Sequence, residues 1–518
     1  MLVQHFLETS AERYPDKVAL VCGEQRLTYS EIEAEANRLA HALRDAGVQR
    51  GDRVTILLEN SAEAVIAIFA ALKADAVFMV LHPGTKPDRL AYLLDDAEPA
   101  ALVTDTAHIR EAAVTIDEAR SLRCLIWVDG AEARPAVRGA QDLAVIGWAD
   151  LKRYPAHRPA TRAISMDLAT LIYTSGSTGQ PKGVMSTHLN VVSATNSING
   201  YLHNTPDDII IDLLPLAFDY GLYQIMLAFQ VGARVVLEKG FAFPAHTVAV
   251  IERENVTGLP GVPTLFALLL KYPDLLERGL RSLRYITNTA AALPVSHIEQ
   301  IRAAFPHATL FSMYGLTECK RVSYLPPEQL DYRPASVGIA IPDTEVYVVD
   351  DEGNRLPPGE VGELVVRGAH VTRGYWRAPE LTAQRFRPGP LPGETVLYTG
   401  DLFKTDQEGF LYFVARKDDI IKSRGEKVSP REVENVVCRM PGVAEAAVVG
   451  VPDPVLGQAV KLFVVPFSGA QLTEREVRAY CTRNLVDYMV PKYVEVVAEL
   501  PRTGNGKVDK KQLAAVST

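Results

Sequence analysis

The chain has 518 residues, of which 47% are hydrophobic and 23% charged, and its formal net charge is −9. This length exceeds what one hydrophobic core usually supports, so we expect a globular protein of at least two domains. The acidic balance argues against nucleic acid as a partner, because phosphate backbones bind clustered Lys and Arg.

Targeting and cysteine patterns favour a reducing, cytoplasmic location. The N-terminus carries Glu8 and Glu12 where an export signal needs an unbroken apolar run. The most apolar region, 64–83, contains Lys73 and Asp75, too early for the roughly 20 apolar residues of a membrane span. We predict a buried helix followed by a strand there. The five cysteines form no C-x-x-C pair, which argues against a disulfide framework and a zinc site.

Helical and strand patterns alternate over most of the first 400 residues. A helical pattern at 29–47 precedes an apolar strand pattern at 51–58, and residues 62–75 and 76–81 repeat the arrangement. A further pair occurs at 225–238. Such alternation predicts an α/β fold of layered subdomains with largely buried parallel strands.

The pattern changes near residue 335. Short β-rich runs with Gly and Pro turn signals at 344–368 and 408–416 predict a β subdomain. Beyond it, a small α+β domain of about 100 residues is expected. Its predicted elements are a helix at 430–440, strands at 444–451 and 461–467, and a helix at 473–485.

The stretch "LIYTSGSTGQPKGVMSTHLN", residues 171–190, combines glycines and hydroxyl side chains behind an apolar run. The pattern G-x-x-x-x-G-K-[ST] cannot be laid on it, because the four residues after Gly176 end at Gln180 and are followed by Pro181, where the second Gly is required. Backbone N–H groups beside glycines can approach phosphate oxygens closely. A mobile surface linker is the alternative.

Four further motifs follow in order: "MYGLTE" (313–318), "YTGDL" (398–402), "ARKDDIIKSRGEKVSPREVE" (415–434) and "PRTGNGKVDK" (501–510). Together with the loop they resemble the adenylate-forming superfamily of acyl-CoA synthetases, peptide synthetase adenylation domains and luciferase. The resemblance covers nearly the whole chain. It implies a large N-terminal domain, 1–417, which binds ATP and acid, and a small mobile C-terminal domain, 418–518.

The resemblance also implies which residues bind ATP and Mg²⁺. Glu318 would hold the metal, and Thr174 would act in catalysis beside it. The implied nucleotide contacts are Thr174, Ser175, Gly176, Ser177, Thr178, Gly179, Lys182, Thr289, Ala290, Ala291, Tyr314, Gly315, Thr317, Asp401, Arg416 and Lys507. The residue types suit these roles, because a carboxylate is a hard ligand for Mg²⁺ and Tyr314 offers a face to a purine. Taken alone, Asp401 could instead stabilise a Gly-Asp turn, and Glu318 could be solvated.

Lys507 lies in "TGNGK", a polar turn whose lysine would by default be a solvated surface charge. The implied reaction joins a carboxylate to the α-phosphate of ATP, and an ammonium group contacting both offsets their repulsion. The family's matching lysine does this. In the family the small domain then rotates about a hinge, here Asp418, and presents the face around Ser423, Arg424, Gly425 and Glu426 to a thiol.

Phe218-Asp219 stands where many fatty and aryl acid members carry a histidine and where amino acid adenylation domains have Phe-Asp. The resemblance therefore implies an α-amino acid substrate such as proline, with Asp219 paired to its ammonium group. A cap on the following helix is the alternative role. The implied pocket consists of Asp219, Tyr220, Tyr223, Pro260, Ile286, Asn288, Met313 and Val322, with Arg321 nearby.

The acceptor thiol stays open between the phosphopantetheine of a separate carrier protein, as in nonribosomal peptide synthesis, and free CoA. The expected function is an AMP-forming acid–thiol ligase of the stand-alone prolyl carrier-protein type, or else an acyl-CoA synthetase acting on a non-amino acid. A non-catalytic sensor is disfavoured by the presence of Glu318, Asp401 and Lys507. A simple ATP hydrolase is disfavoured because no Walker-type loop is found.

Overall fold

A computed structural model gives the fold and describes residues 1–108, 119–129, 143–175, 181–241, 243–272, 274–289, 293, 295–423, 426–453, 455–467, 469–503 and 507–515. The chain divides into two compact units. The first comprises Met1–Pro334, Ala340–Glu345 and Val366–Leu397, and the second comprises Ala335–Ile339, Val346–Val365 and Tyr398–Thr518. The α/β class with a large N-terminal and a smaller C-terminal domain is confirmed, whereas the boundary at 417/418 stays a prediction.

Helices occur in both units. Those of the first unit are α1 (His5–Arg13), α2 (Tyr29–Asp45), α3 (Ala62–Lys73), α4 (Pro87–Ala97), α5 (His188–Leu202), α6 (Asp219–Val231), α7 (Pro244–Glu254), α8 (Pro263–Leu269), α9 (Leu275–Arg278), α10 (Val295–Ala304) and α11 (Pro379–Arg385). Those of the second are α12 (Pro430–Val437), α13 (Glu474–Asn484) and α14 (Lys510–Ala515). Short 3₁₀ helices span Trp148–Arg153, Pro327–Gln329, Lys417–Asp419 and Asp487–Met489.

The strands are numbered along the chain. They are β1 (Val18–Cys22), β2 (Gln25–Thr28), β3 (Arg53–Leu57), β4 (Val77–Val80), β5 (Ala101–Thr104), β6 (Cys124–Trp127), β7 (Ala144–Gly147), β8 (Leu168–Ser175), β9 (Pro181–Thr187), β10 (Ile209–Asp212), β11 (Arg234–Leu237), β12 (Gly258–Gly261), β13 (Tyr285–Asn288), β14 (Thr309–Tyr314), β15 (Ser323–Tyr324), β16 (Ile339–Ala340), β17 (Thr344–Val349), β18 (Gly362–Gly368), β19 (Phe386–Pro388), β20 (Thr395–Thr405), β21 (Leu411–Arg416), β22 (Ile421–Ser423), β23 (Glu426–Val428), β24 (Val443–Asp453), β25 (Gly457–Pro466) and β26 (Tyr493–Val496).

Two sheets organise the first unit. One has the order β7-β6-β5-β3-β4-β8-β9, and the other runs β15-β14-β13-β12-β10-β11-β1-β2. Interior neighbours are parallel, whereas β9, β2 and β15 pair antiparallel at the edges. Strands such as β4 and β5 are buried along their whole length, which explains their continuous apolar sequences.

Helix α3 packs in the shared core and is buried over nearly its whole length. The buried helix and strand predicted at 64–83 are therefore confirmed as α3 and β4. Lys73, which interrupts the apolar run, is buried as well, and its Nζ lies 2.8 Å from Glu8 Oε1 and 2.9 Å from Glu33 Oε1. Pairing with two carboxylates makes the burial of this charge possible. No helix among the described residues is long and apolar enough to cross a membrane.

The smaller unit contains a sheet with the order β23-β22-β25-β24, with β26 beside β25. Helices α12 and α13 contribute to an apolar cluster that includes Val448 and Leu462, and α14 contributes to a second cluster that includes Val449 and Phe463. Neighbouring side chains on a strand point to opposite faces, so the sheet is covered on both sides. The helices and strands predicted between 430 and 485 are confirmed as α12, β24, β25 and α13.

His188, the first residue of α5, is buried and accepts a hydrogen bond at Nδ1 from the N–H of Val3, at 3.1 Å. Burial lowers the pKa of this imidazole to about 4, because desolvation disfavours its charged form. The folded protein therefore holds His188 neutral at pH 7.

Lowering the pH should destabilise the first unit through His188. Its folded pKa lies below the unfolded value near 6.5, so its contribution is fully present above pH 6.5 and is lost as the pH falls toward 4. From this residue we expect about 2 kcal/mol lower stability at pH 5 than at pH 7.5. Urea unfolding at both pH values should show a smaller loss for His188→Gln, and an equal loss in both proteins would contradict the assignment.

Candidate active site

The loop at 171–190 begins and ends in the β8–β9 hairpin. Thr174 on β8 lies in register with Lys182 on β9, and Ser175 is opposite Pro181. The predicted contacts Gly176, Ser177, Thr178 and Gly179 lie outside the described residues, as do Ala290 and Ala291. The hairpin therefore places Thr174 beside Lys182, two of the predicted nucleotide contacts, at the base of the loop.

Tyr375 connects this hairpin to the predicted metal ligand, and sequence reasoning did not single it out. The Nζ of Lys182 lies 5.4 Å from the centre of the Tyr375 ring, and the Tyr375 hydroxyl donates a hydrogen bond of 2.7 Å to Glu318 Oε1. The neighbouring backbone is held on β9, since Trp376 N–H donates to the carbonyl oxygen of Gly183 at 2.7 Å. One signal existed in the sequence: Gly374, directly before the tyrosine, has φ +103, a backbone conformation that favours glycine.

Glu318 lies in a tight turn that follows β14. Its carbonyl oxygen accepts a hydrogen bond from Thr372 N–H at 2.9 Å, which ties the turn to the segment carrying Tyr375. A side chain at Gly315 would collide with the carbonyl oxygen of Lys320. Gly315 thus has a packing reason to be glycine, separate from any contact with nucleotide.

The other predicted nucleotide contacts of this region lie nearby in the chain. Tyr314 is the last residue of β14, and Thr317 is partly exposed in the turn. Thr289 follows β13 and is buried, and its hydroxyl has no hydrogen-bond partner among the described protein atoms. A buried hydroxyl without a partner is expected where a ligand completes the hydrogen bond.

Glu318 also fits the predicted Mg²⁺. Within the described part of the chain, no three His, Cys, Asp or Glu side chains come together as a metal cage. Mg²⁺ bound together with nucleotide phosphates is usually held by one or two carboxylates and by the phosphates themselves. A single glutamate oriented by a tyrosine hydroxyl therefore suits a metal that arrives with ATP.

Asp219 is the first residue of α6, after the N-cap residue Phe218, and its side chain makes an ion pair, so the capping alternative does not describe its position. The start of the helix is packed tightly, because a Cβ on Gly221 would lie 2.6 Å from the carbonyl oxygen of Pro215. Asp219 Oδ1 lies 3.2 Å from the Nζ of Lys320, and this ammonium donates to the carbonyl oxygen of Thr317 at 3.0 Å. Burial raises the pKa of the Asp219 carboxyl, and Lys320 acts in the opposite direction.

Aromatic and cationic side chains surround this ion pair. The Tyr220 hydroxyl hydrogen bonds to both oxygens of Thr287, at 3.0 Å to the carbonyl and 2.7 Å to Oγ1. The guanidinium of Arg321 lies 5.2 Å from the centre of the Tyr220 ring, and Lys320 Nζ lies 6.0 Å from that of Tyr223. Lys320 was not predicted to belong to the site, although it directly precedes Arg321.

The predicted pocket residues on the strands divide between two faces of the sheet. The hydroxyl of Tyr220, on α6, hydrogen bonds to Thr287, so the Thr287 side chain lies on the α6 side of the sheet. Pro260 and Phe311 are the register partners of Thr287 on the neighbouring strands and share its face. Met313 is two residues after Phe311 and therefore lies on this face as well. Side chains alternate along a strand, which turns Ile286 and Asn288 of β13 to the opposite face. Val322, the residue after Arg321 in the chain, is fully buried. The structure therefore groups Asp219, Tyr220, Tyr223, Pro260 and Met313, and separates Ile286 and Asn288 from them.

Asp401 and Arg416, the predicted ribose contacts, belong to the second unit and are register partners on β20 and β21. Arg416 Nε lies 3.3 Å from Asp401 Oδ1, and the Asp401 side chain is 3% exposed. The Asp401 N–H donates to Thr399 Oγ1 at 3.2 Å. The alternative role of Asp401, in a Gly-Asp turn after a strand, is wrong, because the residue lies within the long strand β20. Gly400 has φ +70, yet the strand continues through it.

Lys507 is exposed, and its carbonyl oxygen accepts a hydrogen bond of 2.8 Å from Thr503 N–H. Residues 504–506 of the motif lie outside the described residues. The predicted hinge, Asp418, lies in the 3₁₀ helix between β21 and β22. Ser423 ends β22 opposite Glu426 on β23, while Arg424 and Gly425 lie outside the described residues.

Comparison with known proteins decides the family. Residues 7–376 match the model of the AMP-binding enzymes, and residues 432–507 match that of the AMP-binding enzyme C-terminal domain. The chain belongs to the AMP-binding enzyme family. The resemblance inferred from the motifs is thereby confirmed, and the chain is an ATP-dependent, AMP-forming acid–thiol ligase.

Relatives of this AMP-binding enzyme include a CoA ligase and a nonribosomal peptide synthase. It is 32% identical to a long-chain-fatty-acid–CoA ligase of Escherichia coli, over 98% of this chain and 93% of that one. It is 33% identical to a dimodular nonribosomal peptide synthase of Bacillus subtilis, over 98% of this chain and 21% of that one. Among solved structures, ATP-bound MatB from Rhodopseudomonas palustris has a TM-score of 0.89 and 30% identity, covering 100% of this chain and 99% of that one.

Proposed function

We propose that this AMP-binding enzyme is an acyl-CoA synthetase that activates a non-amino carboxylic acid as an acyl adenylate and transfers the acyl group to the thiol of CoA. The observation that carries the proposal is the ion pair between Asp219 and Lys320. An amino acid substrate would need Asp219 for its own ammonium group, whereas here the protein supplies that cation itself.

The Lys320 side chain is 1% exposed and its ammonium has two oxygen partners, Asp219 and the carbonyl of Thr317. A substrate ammonium group at Asp219 would lie beside this buried charge, and like charges in a desolvated site repel strongly. A substrate without an amino group avoids that repulsion. The arrangement therefore favours des-amino acids over their α-amino counterparts.

The chemistry then proceeds in two displacements. A carboxylate oxygen of the acid attacks the α-phosphorus of ATP, and the bond to the leaving pyrophosphate breaks. The sulfur of CoA next attacks the acyl carbon, AMP leaves, and the thiol proton is released. Thr174 and Lys182 would contact the phosphates, and Glu318 would hold Mg²⁺, which neutralises phosphate charge when bound.

The structure gives fewer observations on the thiol acceptor than on the acid substrate. Likeness to the CoA ligase of Escherichia coli extends over nearly the full length of both chains, which supports CoA. The cations Lys320 and Arg321 beside Asp219 favour a short or polar acid over a long alkyl chain, because an alkyl chain cannot hydrogen bond to buried charges. A separate carrier protein stays as the alternative acceptor.

Pyrophosphate exchange into ATP tests the first half of the reaction. The acids are tested in pairs that differ only in an α-amino group. For at least one pair, the des-amino acid should support exchange, and its α-amino partner should support about 10-fold less. Thioester formation with CoA and with a phosphopantetheinyl carrier then identifies the acceptor. A preference for α-amino acids would contradict the proposal, and exchange with no acid would overturn carboxylate activation altogether.

Lys320→Met should shift this preference toward α-amino acids, by roughly 10-fold in the ratio of kcat/KM values, because Asp219 then lacks its internal cation. Asp219→Asn combined with Lys320→Met removes both charges and should return the preference toward des-amino acids. The comparison of wild type, both single variants and the double variant measures the coupling directly. An unchanged ratio in Lys320→Met would show that the ion pair does not set the preference.

A further inference from the structure

Arg321 is a buried cation to which the two steps of the proposed reaction assign no contact. The residue is 4% exposed, and its Nε has no hydrogen-bond partner among the described protein atoms. Its guanidinium lies over the ring of Tyr220 and beside the hydroxyl of Tyr201, where it acts to lower the pKa of that phenol against the raising effect of burial. Its surroundings are therefore aromatic.

The carboxylates near Arg321 already have partners. Asp219 is paired with Lys320 at 3.2 Å, and Glu318 accepts the hydroxyl of Tyr375 at 2.7 Å and is the predicted metal ligand. No carboxylate of the described chain lies within ion-pair distance of Arg321. Of the two buried cations, Lys320 and Arg321, only Lys320 is therefore paired with Asp219.

A buried guanidinium without an anion is unfavourable, since desolvation of a charge is offset only by pairing or hydrogen bonding. Stacking on Tyr220 offsets part of this cost. The planar guanidinium has several donors in a fixed fork, which matches the two oxygens of a carboxylate. An anion carried by the substrate would supply the missing charge and accept the free donor.

We propose that the acid substrate carries a second anionic group, and that Arg321 binds this group while the other carboxylate is activated. The inference rests on the proposed function, because it concerns the acid that the same site adenylates. Tyr220, held by Thr287 at the end of β13, keeps the guanidinium in place. The substrate class is then a short dicarboxylic acid or an acid with an equivalent anionic substituent.

Pyrophosphate exchange with matched acids tests this proposal on the wild-type enzyme. The pairs are succinate and butyrate, glutarate and valerate, and phthalate and benzoate, which differ in one carboxylate. We expect kcat/KM for at least one diacid to exceed that of its monoacid by on the order of 30-fold. Equal or greater activity with every monoacid would overturn the inference and leave carboxylate activation standing, whereas exchange with no acid, amino acids included, would overturn both.

Variants at Arg321 make the test specific to this residue. Arg321→Met should lower the ratio of kcat/KM for the diacid to kcat/KM for the monoacid by on the order of 30-fold. Arg321→Lys should retain part of this ratio, since a lysine has the positive charge but lacks the planar pair of N–H donors of a guanidinium. Arg284→Met is the control for loss of a guanidinium over a tyrosine ring, because Arg284 lies 4.6 Å from the centre of the Tyr285 ring and is paired with Asp208 instead of facing the acid. An unchanged ratio in both Arg321 variants would show that the residue only stacks on Tyr220.

Discussion

Replacing Lys507 with alanine should reduce acyl-adenylate formation by on the order of 1000-fold. The carboxylate of the acid and the α-phosphate are both anionic, and their approach requires a cation that contacts both as the bond forms. Lys507 suits this role because its residue is exposed and a long, exposed side chain can reach into a site and leave it. The effect should appear in kcat rather than in the KM for the acid.

The two halves of the reaction separate this role from a general loss of structure. Lys507→Ala should largely retain thioester formation when acyl adenylate is supplied, since that step joins no carboxylate to phosphate. Lys511→Ala, which removes an exposed lysine from the adjacent helix α14, is the control and should leave both halves near wild type. Equal losses in both halves for Lys507→Ala would show that the assigned role is wrong.

The sequence predicts helices and strands correctly where the spacing of apolar residues matches the burial seen in the structure. The run at 64–83 predicts a buried helix and strand, and the structure contains both as α3 and β4. Its charged residue, Lys73, excluded a membrane span, but its partners Glu8 and Glu33 belong to α1 and α2. Which carboxylates meet a buried lysine depends on helix packing, and a linear pattern does not contain that information.

Sequence motifs predicted several residues of the site, but they did not predict which side chains contact those residues. Glu318 and Asp219 were singled out from their motifs, yet the residues that touch them, Tyr375 and Lys320, were not. Tyr375 is 57 positions from Glu318 in the chain, so only the tertiary fold brings its hydroxyl to the carboxylate. Lys320 follows Glu318 closely, but its left-handed backbone, with φ +67, sends its side chain toward α6, and a motif does not reveal that direction.

Alternation along a strand explains another difference. Motif alignment put Ile286, Asn288, Pro260 and Met313 in one pocket. In the structure Pro260 and Met313 share the face of Thr287, whereas Ile286 and Asn288 point to the other face. A one-residue offset in an alignment exchanges the two faces of a strand. Thr287, which bonds Tyr220, is the residue of β13 that lies on the face of Pro260 and Met313.

Glu318→Gln should reduce acyl-adenylate formation by on the order of 100-fold or more. Glutamine has nearly the same shape and can still accept the Tyr375 hydrogen bond, but it removes the negative charge that a metal ligand contributes. The loss should therefore be accompanied by a weaker dependence of ATP binding on Mg²⁺, measured by calorimetry at several Mg²⁺ concentrations. That measurement does not require turnover.

Tyr375→Phe is the informative companion to Glu318→Gln, because it leaves the charge and removes only the hydroxyl that orients it. We expect a smaller loss, roughly 10-fold, with the Mg²⁺ dependence of ATP binding retained. Glu328→Gln, an exposed glutamate ten positions further along the chain, controls for a general change of charge. If Glu318→Gln bound ATP with an unchanged dependence on Mg²⁺, Glu318 would not be the metal ligand, and its bond to Tyr375 would then serve to hold the turn between β14 and Lys320 in place.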